Sequence, residues 1–255
     1  MKHSPSTPTP QQADMAKVYD NGAEAFQAEA PGLFSWRALG APALYNALRP
    51  TFEAPNLEDL RWLDEGSASG RIVQFLIDHG VPARQIDGVE ISPEQVALAQ
   101  KAIPEAHFRV SNLATDSLGD GVYDRITRHM VDEHLNGTEL LAASKSTLTA
   151  LKPGGKLVAV FTHPDRVKFT EGDKIQPDGS YVTKFPWGGE GANYYRTPEE
   201  YLAVLEEAGF KIESTESLQI TPETEKVDPS EYKRYMDMGY QGLNVRLAVT
   251  AQRTL

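Results

Sequence analysis

Apolar residues recur along this chain in two rhythms. Leu60 to Asp64 is a short, mostly apolar run ending in an acid. After it, Ile72, Val73, Phe75, Leu76 and Ile77 recur at helical spacing. Between them lies a turn of small residues only, Gly66-Ser67-Ala68-Ser69-Gly70. The pattern predicts strand, tight turn and helix, with Gly80 stopping the helix after about His79. Upstream, Met15, Val18, Tyr19, Ala25 and Phe26 mark one inward face over residues 13–29, which Pro31-Gly32 breaks. The stretch from Leu33 to Leu48 is interrupted by Gly40 and Pro42 and predicts two short helices. Downstream, Gln85 to Glu90 reads as a second strand ending in an acid, with Ser92 as N-cap and Pro93 in the first turn of the next helix. The charged segment Pro222 to Gly239 predicts a helix beside the sheet, and the alternating segment Leu243 to Ala251 a last strand.

The glycine turn brings chemistry into the pattern. Gly66 and Gly70 can take backbone angles closed to other residues, and Ser67, Ala68 and Ser69 let a ligand approach the main chain. The helix that follows offers N–H groups without intrahelical acceptors. Two nucleotide-type motifs compete. The dinucleotide fingerprint G-x-G-x-x-G fits poorly, because Ala68 and Arg71 stand where it needs glycine. Asp64-Glu65-Gly66-Ser67-Ala68-Ser69-Gly70 instead resembles motif I of the Rossmann-like S-adenosylmethionine (SAM) methyltransferases. Ala68 replaces its middle glycine, and Glu65 stands at a usually apolar position. Glu90, about twenty residues on at a strand end, is placed to accept from both ribose hydroxyls.

Further segments resemble the same family in order. Val89-Glu90-Ile91-Ser92 is similar to motif II, and His107 to Leu113 to the third strand, with Asn112 where the family often has Asp near the adenine amine. Tyr123 to His129 resembles the fourth strand. Leu151-Lys152-Pro153-Gly154-Gly155 resembles the turn that ends a helix and feeds a fifth strand from Leu157 to Phe161. Tyr195 to Tyr201 and Glu207 to Phe210 resemble a late helix and strand of the small-molecule branch. There Thr197, Pro198 and Glu200 form a capping box and Gly209 a stop. The resemblance covers about residues 58–252. It implies an α/β fold with a Rossmann-like, doubly wound, mostly parallel seven-stranded sheet and one antiparallel strand. It also implies SAM as cofactor, held by Asp64, Gly66, Ser67, Ala68, Gly70, Glu90, Ile91, Ser111, Asn112, Leu113 and His129.

The chain then reads as one domain, 13–255, with residues 13–56 as a helical lid and 163–195 as a cap inserted after the fifth strand. A packing layer is the plainer alternative for the N-terminal helices. Within the insertion, Tyr181 to Phe185 could be a strand, and a segment this long between elements is usually functional or disordered. Aromatic faces can hold a sulfonium without offering a nucleophile; Tyr19 and Trp36 are candidates, as are the insertion's aromatics. The densest ionisable cluster is Arg128 to His134. His129, Asp132 and His134 are candidate general bases, with Tyr195 a further catalytic candidate. Each also has an ordinary structural reading. The spacing of His129, Glu133 and His134 does not match H-E-x-x-H, so no metal is expected.

Composition narrows the partners. The 255 residues include no cysteine, which removes disulfides and thiolate chemistry and favours a cytoplasmic location. A net charge of −11 with scattered Lys and Arg argues against nucleic acid. No apolar run approaches the ~20 residues of a membrane span. Met1 to Gln12 is polar, rich in Ser, Thr and Pro, and reads as a disordered tail rather than a signal peptide. The expected partner is a small-molecule acceptor, and the expected state a monomer or homodimer. Three activities stay open: methyl transfer to that acceptor, cyclisation or cleavage of SAM releasing methylthioadenosine, and SAM binding without catalysis.

Overall fold

A computed structural model describes the backbone of residues 10–254 and the side chains of 14–254. The predicted tail therefore lies mostly outside the described residues, although Pro10 to Gln12 already belong to the first helix. Seven strands form one sheet: β1 (Trp62–Glu65), β2 (Ile86–Glu90), β3 (His107–Val110), β4 (Tyr123–His129), β5 (Leu151–Thr162), β8 (Phe210–Gln219) and β9 (Asn244–Arg253). Their order is β3-β2-β1-β4-β5-β9-β8. β1 to β5 run parallel, and β9 lies antiparallel between β5 and β8. The order reverses beside β1, so the crevice at the carboxyl ends of β1, β2 and β4 is where such a sheet takes a ligand.

Alternation along β1 builds both halves of the core. Leu63 joins Ile126, Leu140, Leu157, Tyr201 and Val249 on one face. Trp62 joins Leu44, Val73, Leu76, Ile86 and Val160 on the other. On the first face lie α6 (Gly137–Ala150) and α8 (Pro198–Ala208), both opened by capping boxes, Asn136 with Glu139 and Thr197 with Glu200. On the second lie α3 (Ala41–Phe52), α4 (Arg71–Asp78) and α5 (Pro93–Ala102). Gly209 closes α8 at φ +106°, as its sequence position predicts.

Three local expectations change. The amphipathic stretch 13–29 is two helices, α1 (Pro10–Asn21) and α2 (Ala23–Glu29), split at Gly22. A Cβ on Gly22 would stand 2.7 Å from the Trp187 ring, so close packing fixes the break. Gly40 and Pro42 do not divide the next segment. A π-helical turn, Trp36–Gly40, runs straight into α3, and Pro42, which has no N–H to give, follows that wider turn without ending the helix. The Pro-Gly-Gly turn does not precede the fifth strand but lies inside it. Leu151 pairs with Tyr123 and Lys156 with Arg125, leaving the residues between as a bulge.

The insertion after β5 consists of α7 (Pro164–Glu171) and an antiparallel hairpin, β6 (Ser180–Lys184) with β7 (Glu190–Tyr194). α9 (Pro229–Asp237) lies in the charged segment before β9. Among the described residues, no helix is long and apolar enough to cross a membrane.

Candidate functional site

A cavity of about 820 Å³ opens at the carboxyl ends of β1, β2 and β4, between the N-terminal helices and the inserted hairpin. That volume lies within the roughly 300–1,000 Å³ usual for small-molecule sites.

The glycine turn forms one wall. Gly66, Ser67 and Ala68 line it, with Glu90 and Ile91 from the end of β2 and Ser111, Asn112 and Leu113 from the end of β3. Ala68 sits at φ +44°, a left-handed angle that costs a residue with a Cβ about 1 kcal/mol. That is the strain left by alanine at the motif's middle glycine. The turn holds the Glu90 carboxylate by main chain. Ala68 N–H donates to Oε2 at 3.1 Å, and Ile91 and Ser92 N–H donate to Oε1 at 2.7 and 3.0 Å. Burial raises the Glu90 pKa in spite of these donors. Asn112 Oδ1 already accepts from Ala114 N–H at 3.0 Å.

Two predicted residues support this wall from behind. Asp64 is 1 % exposed and accepts from the Thr127 hydroxyl at 2.8 Å, while its Oδ2 has no partner among the described residues. Burial, opposed by that hydroxyl and reinforced by Glu65, pushes its carboxyl up to about 8. Gly70 does not reach the cavity. At φ +92° it turns the chain into α4, where a Cβ would meet Ile103 at 3.1 Å.

Aromatic residues form the opposite wall. Tyr19, Phe26, Trp36, Phe185 and Trp187 all line the cavity. The Trp187 ring stacks on Phe185 at 5.1 Å and meets Phe26 edge-on at 4.8 Å, joining α2 to the inserted hairpin. Arg71 lies beneath, its guanidinium 4.6 Å from the Trp36 ring centre and bonded to the Ala30 carbonyl. Burial lowers its pKa to about 10.

The four catalytic candidates separate. His134 faces the cavity in a hydrogen-bonded chain: Tyr19 Oη lies 3.1 Å from its Nε2, and Asn193 Oδ1 lies 2.6 Å from its Nδ1. The amide oxygen can only accept, so Nδ1 carries the proton and Nε2 accepts from Tyr19. Burial, with Glu90 and Glu133 nearby, raises the Tyr19 pKa and keeps the phenol a donor. His129 also lines the cavity, with its Nδ1 3.4 Å from an Arg71 terminal nitrogen, which leaves the proton on Nε2. Burial, then the Arg71 and Arg246 cations, holds it neutral. A ring wedged against Gly40 and beneath Trp36 is poorly placed to collect a proton.

Asp132 and Tyr195 are not brought to the cavity. Asp132 is 2 % exposed and takes a bond from Arg128 at 2.9 Å and one from the Tyr201 hydroxyl at 2.5 Å. Arg128 also donates to Glu65 at 2.6 Å and to Thr147, forming a closed ionic network beneath the site. Glu65, at the motif's usually apolar position, is thus matched by the arginine opposite it on β4. Tyr195 follows β7 and bonds through its N–H to Gly179. Among the described residues, no group of His, Asp or Glu could hold a metal.

Asn193 and Arg246 line the cavity without having been singled out in the sequence. Asn193 sits on a strand that hydrophobic patterning does not reveal. Arg246 did leave a signal, as a lone cation within the otherwise apolar run Val245 to Val249.

The residues present fit SAM. The hydroxyls of Ser67 and Ser111 are buried in the glycine-turn wall with no partner among the described residues. Beside them stand a main-chain-held carboxylate, the apolar Ile91 and an aromatic roof. These suit ribose hydroxyls, a purine face and a sulfonium.

The methyltransferase domain family model matches residues 63–155. Nothing among curated proteins matches the chain. A SAM-dependent methyltransferase from Mesorhizobium loti is similar in structure, with TM-score 0.60, 20 % identity, and 81 % of this chain and 98 % of that one covered. DhpI, in a complex with SAM and HEP, gives TM-score 0.64 at 19 % identity, covering 96 % and 99 %. The [4+2]-cyclase SpnF gives TM-score 0.64 at 17 % identity, covering 99 % and 100 %. At such identities the likeness is one of fold, and the family match adds the domain. Residues 63–155 thus match the methyltransferase domain family model, and the chain as a whole has the Rossmann-like fold of these SAM-dependent methyltransferases.

Proposed function

We propose that this protein methylates a small molecule at oxygen or nitrogen, with His134 as the base. One observation carries the reading: a single cavity joins the cofactor wall of Gly66, Ser67, Ala68 and Glu90 to the Tyr19–His134–Asn193 chain. Bound SAM supplies a methyl group on a sulfonium, open to an incoming nucleophile. Ser67, Ser111 and Glu90 hold the cofactor's polar groups, and Ile91 its adenine face. Asn193 fixes the His134 tautomer so that Nε2 is free to take a proton. The acceptor's proton passes to the Tyr19 oxygen as the Tyr19 proton moves to Nε2. Helices α1 and α2 and the β6–β7 hairpin act as covers, meeting through Tyr19, Phe26, Phe185 and Trp187 and excluding water. Holding acceptor and methyl donor in line supplies most of the acceleration, of order several kcal/mol.

Purified protein incubated with SAM, alone and with fractionated small-molecule extract, tests the reaction class. S-adenosylhomocysteine should form only with extract. Methylthioadenosine released over many turnovers from SAM alone would replace methyl transfer with cyclisation or cleavage of the cofactor. Tight SAM binding without either product would leave a binding module.

A further inference from the structure

The β5–β9 side of the cavity holds two arginines that, among the described residues, bond to no carboxylate. Arg246 on β9 stands directly across from Thr162 of β5. It is 6 % exposed, one terminal nitrogen donates to the Val245 carbonyl, and its buried Nε has no partner. Arg166, half-buried in the first turn of α7, lines the same wall. Burial and the neighbouring Arg166 cation lower the Arg246 pKa to about 10, so the two charges feel each other.

The surrounding charges do not absorb this pair. Arg37 is bonded to Asp228 at 3.2 Å, and Arg234 meets Glu231 at 3.4 Å. Glu171 is bonded to Lys174 at 2.6 Å. Lys184 is exposed at the rim. That leaves Glu133, which takes the Thr162 hydroxyl at 3.3 Å on Oε1 and has nothing on Oε2. Two guanidinium groups against one carboxylate leave a positive charge in a largely buried wall, a costly state unless an anion completes it. Planar guanidinium forks match the oxygens of a carboxylate or a phosphate.

We propose that Arg166 and Arg246 form an oxyanion site, and that the small-molecule acceptor carries a carboxylate or phosphate seated there. The acceptor's role rests on the function proposed above; the site itself does not.

Isothermal titration of the protein with inorganic phosphate and with benzoate, against chloride of equal ionic strength, tests it. Each titration is run with and without S-adenosylhomocysteine. At least one anion should bind in the millimolar range, and R166Q and R246K should each weaken it about fivefold or more. S-adenosylhomocysteine affinity should stay within about twofold. Phosphate alone would assign a phosphate-bearing acceptor, benzoate alone a carboxylate. No anion binding by the wild-type protein, or equal binding by R166Q and R246K, would overturn the site. Anion binding lost in both variants, in a protein that never takes S-adenosylhomocysteine, would keep the site and sink the proposed function. R166Q changes a half-buried helix position, so the test survives if R246K fails to fold.

Discussion

Replacing Asp64 with Asn should stabilise the ligand-free protein, increasingly so as pH rises. Asp64 is buried and shares one oxygen with the Thr127 hydroxyl, while the other has no partner among the described residues. Its folded pKa of about 8 stands well above the ordinary 3.8. Below pH ~4 both folded and unfolded chains carry the proton, and Asp64 does not affect the balance. Between the two pKa values only the folded chain holds it, so stability falls as pH rises and the full loss is reached above pH ~8. The slope is at most about 1.4 kcal/mol per pH unit. Asparagine keeps the Thr127 bond and needs no proton. The stability of Asp64→Asn relative to wild type should therefore grow by about 2–3 kcal/mol between pH 5.5 and pH 8. Urea unfolding of both proteins at four pH values in that window measures it. Glu65 and Glu90 are present in both proteins, so the difference between the curves reports Asp64 together with its coupling to those two carboxyls. Parallel stability–pH curves would show that the carboxyl is ionised in the folded protein and refute the reasoning.

Glu90→Ala should weaken SAM binding by about 2–3 kcal/mol in calorimetric titration, since a charged acceptor held by three N–H groups is lost. Equal affinities would remove Glu90 from the cofactor wall. His134→Ala and Tyr19→Phe should each lower kcat about 10²-fold or more with cofactor affinity nearly unchanged, read from S-adenosylhomocysteine formation once an acceptor is found; unaltered kcat would rule out the proton relay. Arg128→Met leaves Glu65 and Asp132 buried without their cation and should cost about 3–5 kcal/mol in urea unfolding. Gly70→Val should also fail chiefly in stability, because the position demands φ +92° and packs on Ile103. Normal folding with lost SAM affinity would instead put Gly70 in the site. Hydrogen exchange should slow across residues 15–45 and 165–195 when S-adenosylhomocysteine binds, and protection limited to strand ends would contradict moving covers.

The strand ends and glycine turn that line one wall of the cavity were legible in the sequence because their signals are local. The small-residue turn, the acid ending β2 and the Ser92 and Thr197 caps are each readable within a few residues, and their order along the chain implied the seven-stranded sheet. The rest of the cavity depends on pairings between distant residues. His134 draws its tautomer from Asn193, 59 positions away, and Arg246 meets Thr162 only because β9 inserts beside β5. Asp132 looked catalytic from its neighbours in sequence, but Tyr201, 69 positions on, turns it into part of the core. Gly22 and Gly40 show the same limit. One fits under Trp187 and the other against His129, and neither constraint is visible in helical periodicity.

The distribution of tryptophan gives this protein its own optical readout. Of the three, Trp62 is fully buried in the core, whereas Trp36 and Trp187 line the cavity. Trp187 lies between Phe185 and Phe26, where α2 and the hairpin meet, and Trp36 lies over the Arg71 guanidinium. Any movement of α2 or the hairpin would change the solvent around the first, and anything entering beside Arg71 would change the charge felt by the second. Trp62 supplies a constant background. Emission excited near 295 nm should then follow binding and closing in unlabelled protein, and a stopped-flow trace could separate the two steps in time before any acceptor is known.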